Sequence, residues 1–224
     1  MKYIVLFLIS VSALATETRK EIAIIDSYPS KMIDSGYLCE NPIFNAGSEF
    51  TQNKFSTNVH AFEVALLAAQ DIDNKQYCIR FYPIILAPLY DNTYNLETLV
   101  HEIYSQLRNN PPAFINMSFV GYTFMMEERI SILRLLNSGT IITVAAGNDH
   151  LYLEDGCRVF PACYLRHKNY HVVGSIDSFS NRGNIVTDLQ PSHALNNLNS
   201  RGTSFSAPRV LNKIARGIYD YIKK

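Results

Sequence analysis

Blocks of apolar and polar residues change period along this chain, and the changes mark its elements. Ile22-Ala23-Ile24-Ile25 is a continuous apolar run closed by Asp26-Ser27, the pattern of a strand covered on both faces. Residues 30–56 are rich in Ser, Asn, Gly and Pro and read as a long loop. From about Asn58 to Gln70, Val64, Leu67 and Ala68 fall on one side of a helix. Tyr77–Ile85 returns to a strand pattern. Leu96, Leu99, Val100, Ile103 and Leu107 mark the next helix, which Pro111-Pro112 terminates. Ala113–Phe119 predicts a strand, and Ile130, Leu133 and Leu136 a helix stopped at Ser138-Gly139. Thr140–Ala146 is again a strand. Val210, Ile214, Ile218 and Tyr221 lie on one stripe of a last helix, from about Ser204 to Ile222. This alternation predicts an α/β fold of three layers, a mostly parallel central sheet flanked by helices. In such sheets functional sites lie at the carboxyl ends of strands, where Asp26 and Asn148 fall.

Composition narrows the class. A chain of 224 residues has room for one domain with a sizeable core, and 47% apolar against 18% charged residues is ordinary globular usage. The formal net charge is zero and there is no Lys/Arg block, which excludes nucleic acid as the expected partner. At the N-terminus Lys2 precedes an apolar run from Tyr3 to Leu14, and Ala13-Leu14-Ala15 fits a small-residue cleavage site. The run is shorter than the roughly 20 residues of a membrane span. Residues 1–15 are therefore expected to be a signal peptide and 16–224 the folded domain. The expected location is secreted or periplasmic, with no membrane span once the signal is removed.

Four cysteines in an exported chain suggest two disulfides, with three connectivities open. Cys157 and Cys163 are close in sequence, which favours Cys157–Cys163 and therefore Cys39–Cys78; free buried thiols are the alternative. A metal site is disfavoured, because no Cys-x-x-Cys pair exists and no histidine neighbours these cysteines at ligand spacing. Asp71, Asp73 and Asp91 are scattered without a multi-oxygen cluster, so no cofactor is required and structural calcium is not indicated. Asn116-Met117-Ser118 is formally a glycosylation sequon, discounted because it lies in a buried-strand pattern.

The chemistry concentrates near the C-terminus. Gly202-Thr203-Ser204-Phe205-Ser206-Ala207-Pro208 sets a serine hydroxyl at the start of a helix, where unpaired N–H groups and the positive dipole end favour developing negative charge. Alone, this serine reads as an N-cap. Three upstream segments change that reading: Asp26-Ser27 after its apolar run, His60-Ala61-Phe62-Glu63-Val64-Ala65 opening a helix, and Ala145-Ala146-Gly147-Asn148 ending a strand. Each has a bland alternative, an Asx-turn for Asp26, a surface or capping residue for His60, a turn pair for Gly147-Asn148. Together, and in this order, they resemble the signature segments of the subtilases, the subtilisin-like serine peptidases. Phe114–Phe119, Phe160-Pro161-Ala162, Val172–Ser175 and Ser178–Gly183 resemble further family segments, so the resemblance spans from about Glu21 to the C-terminus.

The resemblance implies a subtilisin-like fold and an exported serine endopeptidase acting on protein or peptide substrates through an acyl-enzyme. It implies that Ser204 attacks, His60 is the base, and Asp26 orients and stabilises the imidazolium. It implies an oxyanion site made by the Asn148 side chain and the Ser204 N–H. Ser118, Phe119, Val120, Ala146 and Gly147 are the implied substrate-binding residues. The chain also departs from the family pattern. Ala61, Phe62 and Glu63 stand where Gly-Thr-His is usual, and the Glu63 carboxylate is expected to raise the pKa of His60. Tyr28 replaces a glycine, and Arg209 stands where His is general. Val120 replaces a glycine and is expected to narrow the neighbouring pocket or to turn aside, which predicts small or unusual side chains before the scissile bond. Only about ten residues separate Ala15 from Asp26, too few for a folding propeptide. Unaided folding, a separate inhibitor or chaperone chain, or low activity would each accommodate that. The rival reading is a catalytically inactive subtilase fold that binds peptides or a partner protein.

Overall fold

The structure, a computed structural model, describes residues 18–44, 59–84 and 96–219. Among them seven strands form one sheet: β1 Lys20–Asp26, β2 Leu38–Ile43, β3 Tyr77–Pro83, β4 Phe114–Met117, β5 Ile141–Ala145, β6 Tyr170–Ser175 and β7 Asp188–Gln190. Every pairing is parallel, in the order β2-β3-β1-β4-β5-β6-β7. The helices are α1 His60–Ala69, α2 Leu96–Asn109, α3 Met126–Asn137 and α4 Thr203–Ala215. Three layers follow from the strand pleat. Ile22 and Ile24 on one face of β1 pack with Val64 and Leu67 of α1 and Leu211 of α4. Ala23 and Ile25 on the other face pack with Ile103 and Leu107 of α2 and Ile132 and Leu135 of α3. Ile22, Ile24 and Ile25 are each fully buried, and each such side chain contributes about 1.5–3 kcal/mol relative to exposure. The unbroken apolar run of β1 is the consequence of helices on both faces.

The strand order positions the site. The chain passes from β1 to the edge strand β2, returns to β3 between them, then crosses β1 to β4 and continues to β7. The two directions part between β1 and β4, and a crevice opens there at the strand carboxyl ends. Asp26 ends β1 and Ser118 follows β4.

Several sequence expectations are corrected. The loop expected over 30–56 contains a 3₁₀ turn, Ser35–Tyr37, and the strand β2. Asn41 with φ 53° and Pro42 interrupt its pairing with β3, which registers only at Leu38 with Ile79 and Ile43 with Phe81. Such an interrupted edge strand has no clean alternation to read. Between Ala146 and Ser204 the periodicity assigns no element, yet β6 is buried along its whole length there. On α3, Leu136 is buried but Ile130 and Leu133 are each 42% exposed. The helix instead turns Glu128, Ser131, Ile132 and Leu135 inward. Glu128 is admissible in the core because Tyr104 and Tyr164 donate hydrogen bonds to its two carboxylate oxygens at 3.0 and 2.6 Å. Burial raises its pKa, against the opposing pull of those two bonds.

The last helix starts one residue early, at Thr203, and stops at Ala215. The N–H groups of Gly217 and Ile218 turn back to the carbonyls of Ile214 and Lys213, the Schellman closure that a glycine at φ 69° permits. Ile218 is consequently exposed and off the stripe, and Tyr221 lies outside the described residues. So do residues 1–15, Asn58 and Asp91. Both disulfides are present as expected, Cys39–Cys78 and Cys157–Cys163. Among the described residues no helix is long and apolar enough to cross a membrane, and no three His, Cys, Asp or Glu side chains converge on a metal position. Asn116 is fully buried, with its amide donating to Ser118 Oγ.

Candidate active site

The Asp26 carboxylate is 1% exposed at the end of β1. Its Oδ1 accepts from the Ser27 N–H at 2.6 Å, the Ser27 hydroxyl at 3.1 Å, and His60 Nδ1 at 2.8 Å. A buried charge needs such partners. His60 is the first residue of α1, and α1 packs on α4, so the ring stands beside the start of the serine helix. The Phe205 ring lies 5.2 Å from it, centroid to centroid. With Nδ1–H given to Asp26, Nε2 carries the lone pair, the tautomer a general base needs. Burial of the ring lowers the His60 pKa; the hydrogen bond and charge of Asp26 outweigh it and leave the pKa above 6.5. Glu63 is not a source of this shift. It is buried, and its Oε2 accepts the backbone N–H of Asn196 at 3.3 Å. Ala61 and Phe62 likewise pack into the core with α1.

Ser204 is the second residue of α4. Its hydroxyl donates to the Ser118 carbonyl at 3.0 Å, and the Ser118 hydroxyl donates back to the Ser204 carbonyl at 2.7 Å. The second bond has a local cause. Pro208, four residues on, has no N–H, so the Ser204 carbonyl lacks its helical donor, and Ser118 supplies one. Ser118 is in turn held by Asn116 Nδ2 at 2.8 Å, and Asn116 Oδ1 accepts from the Thr143 hydroxyl at 3.1 Å. A fully buried polar chain thus runs from β5 through β4 to the peptide of Ser204.

Asn148 is exposed, and its Oδ1 accepts the Thr203 N–H at 2.9 Å. With the oxygen end engaged, Nδ2 is the end left to donate. The Phe205 N–H bonds the Gly202 carbonyl, which leaves the Ser204 N–H among the unpaired donors of the first turn. The Thr203 hydroxyl accepts the Gly147 N–H at 3.0 Å and ties this strand end to the helix. Asn181 was not singled out from the sequence. It is fully buried, donates to the Ala146 carbonyl and accepts the N–H groups of Asp149 and Leu151. Gly147, at φ 99°, makes room for it: a Cβ there would lie 2.4 Å from Asn181 Nδ2. No local pattern distinguishes such an asparagine from a turn residue.

Ala146 and Gly147 are fully engaged with the protein. The N–H and carbonyl of Ala146 bond Val173 and Asn181, and those of Gly147 bond Thr203 and Asn181. They frame the site. Phe119 and Val120 are half-buried and their backbone makes no hydrogen bond among the described residues. They present an open edge that an extended peptide can pair with. The Val120 side chain packs on the core beneath α2 and α3.

No family model matches the sequence, and no curated protein matches it. Solved structures do. The chain is similar to a lanthipeptide protease at 17% identity, covering 88% of this chain and 72% of the other with a TM-score of 0.65. The self-cleaved protease domain of PatA matches at 18% identity over 89% and 80% of the two chains, TM-score 0.63. A cold-adapted subtilisin-like serine proteinase matches at 18% identity over 90% and 76%, TM-score 0.58. At this identity the agreement is one of architecture: the chain has the fold of the subtilisin-like serine proteases.

Proposed function

We propose that the protein is an exported serine endopeptidase that hydrolyses peptide bonds through an acyl-enzyme on Ser204. The observation that carries this reading is the buried Asp26–His60 pair, 2.8 Å apart, beside a serine at a helix N-terminus on a subtilisin-like fold. The similarity to solved proteases supports it, as do the two disulfides, which suit an oxidising compartment. Substrate pairs its backbone with Phe119 and Val120. The Ser204 hydroxyl leaves the Ser118 carbonyl by rotation about χ1 and passes its proton to His60 Nε2 as Oγ attacks the scissile carbonyl. Asn148 Nδ2 and the Ser204 N–H hold the oxyanion. His60 then protonates the leaving amine, and water repeats the sequence to release the acid.

Labelling of the oxidised protein by a fluorophosphonate probe tests the reading, with Ser204→Ala as control. Labelling that survives Ser204→Ala, or none from folded protein, would overturn it. In the second case the protein is a peptide binder, the reading that the Ser204–Ser118 bond of the resting site favours. Asn148→Ala should lower kcat by about 10²–10³-fold with KM nearly unchanged, since its donor meets charge only in the transition state. Equal loss in kcat and gain in KM would remove Asn148 from that role. Val120 should restrict the residue before the scissile bond to small side chains, and Val120→Gly should shift kcat/KM toward larger ones by about 10-fold or more. A peptide library showing Phe or Tyr preferred by the unaltered protein would contradict this.

A further inference from the structure

A second recess lies outside the catalytic crevice, a cavity of about 470 Å³ between α3 and the loop closed by Cys157–Cys163. Its apolar side is Phe124, Phe160 and Tyr164, with Phe160 stacked on Tyr164 at 4.7 Å and Phe124 edge-on to both. Phe124 is nevertheless 46% exposed. Three arginines line the recess, Arg129, Arg158 and Arg166. Arg166 is spent: it pairs with Asp155 at 2.8 Å and donates twice to Asn184. Asp155 is the only carboxylate in the lining. Arg129 and Arg158 make no ion pair or side-chain hydrogen bond among the described residues, so the recess carries two uncompensated positive charges.

The neighbouring surface is apolar. Met126, Ile130 and Leu133, spaced four and three residues apart, share the outer face of α3 with Arg129. They are 55%, 42% and 42% exposed. A contiguous apolar face bordered by unpaired arginines marks an interaction surface for an acidic, apolar polypeptide segment. The recess is also tethered to the substrate edge. Gly121, next to Val120, exchanges both backbone hydrogen bonds with Phe160 at 2.7 and 2.8 Å, and six residues from Ser118 to Phe124 span at most about 20 Å.

We propose that this recess and the outer face of α3 form an exosite that binds an acidic, aromatic-containing stretch of the substrate polypeptide, within about six residues of the cleaved bond. The proposal rests on the peptidase reading above. Two assays separate them. In the first, kcat/KM is compared for quenched peptides that share one cleaved sequence and carry flanking Glu-Phe-Glu, Lys-Phe-Lys or no flank. The acidic flank should lower KM about 5- to 10-fold with kcat unchanged. Arg129→Glu/Arg158→Glu should abolish that advantage and transfer it to the Lys-Phe-Lys peptide, and 0.5 M salt should erase both. In the second, anisotropy of a labelled Glu-Phe-Glu peptide is followed on the Ser204→Ala protein, which requires no hydrolysis. Tighter binding of the acidic than the basic peptide, reversed by the arginine replacements, supports the exosite even if the chain is no peptidase. Equal cleavage and equal binding of the acidic and basic peptides, or equal loss on all peptides in the double variant, would overturn it.

Discussion

His60→Ala is expected to abolish fluorophosphonate labelling of Ser204 and to lower peptide hydrolysis by about 10⁶-fold, as Ser204→Ala should by itself. That factor corresponds to about 8 kcal/mol of transition-state stabilisation, and the two losses should not add, because nucleophile and base act as one unit. The pH profile gives a second readout. His60 must be neutral to accept the proton, and Asp26 holds its pKa above 6.5 against the opposing effect of burial. Hydrolysis should therefore rise with pH through a midpoint above 6.5. Asp26→Asn removes the stabilising charge, so burial then dominates and the midpoint should fall below that of the unaltered protein. It should also cost about 10⁴-fold in kcat, because the amide no longer selects the Nδ1–H tautomer. A midpoint that does not move on Asp26→Asn would dissociate the 2.8 Å contact from the chemistry.

Joint replacement of Cys39 and Cys78 by serine is expected to destabilise the fold by about 4 kcal/mol, from the loop-closure entropy of a 39-residue separation. For a chain of this size that is a fall in Tm of about 8–16 °C. The six-residue separation of Cys157 and Cys163 predicts only about 2 kcal/mol for the corresponding pair. The larger loss has a functional consequence. Cys39 lies on the interrupted edge strand β2 and Cys78 on β3, and the chain between them carries α1 with His60 at its start. Opening that loop should slow labelling of Ser204 at temperatures where the rest of the protein remains folded. Thermal unfolding of the two double variants, followed beside labelling rate, checks both statements. Equal Tm losses, or labelling unaffected at all temperatures below Tm, would show that the sheet pairing alone holds β2 and α1.

How much of this was legible in the linear chain differs by element. Strands β1, β4 and β5 are central; the continuous apolar run of β1, and the apolar runs of β4 and β5 broken only by Asn116 and Thr143, report burial on both faces. Strand β2 was not legible, because an Asn-Pro interruption on an edge strand leaves neither alternation nor an apolar run. The face of α3 was misread for a related reason: periodicity counts apolar side chains, and a core place taken by Glu128 becomes affordable only where Tyr104 and Tyr164 arrive from elsewhere in the chain.

The candidate site shows the same division. Asp26, His60, Asn148 and Ser204 could be named from the sequence only jointly, because each has a bland local reading and it is the order of their four segments that resembles the subtilases. The positioning roles could not. Asn181 holds the end of β5 from 33 residues beyond Asn148 in the chain, and Ser118, named only for substrate binding, completes the helical hydrogen bonding that Pro208 leaves open. Each acts by satisfying a backbone group that becomes unpaired only once the fold has formed. By itself the sequence determined the layers and the central strands, since these follow from local pattern and residue type, and it favoured one of three disulfide pairings that the structure then shows. Only the tertiary structure decided which polar atoms the candidate site's side chains meet, which face of α3 remains outside, and that Phe205 lies against His60. Those outcomes depend on long-range packing and on where buried hydrogen bonds find partners, which no short stretch of sequence encodes.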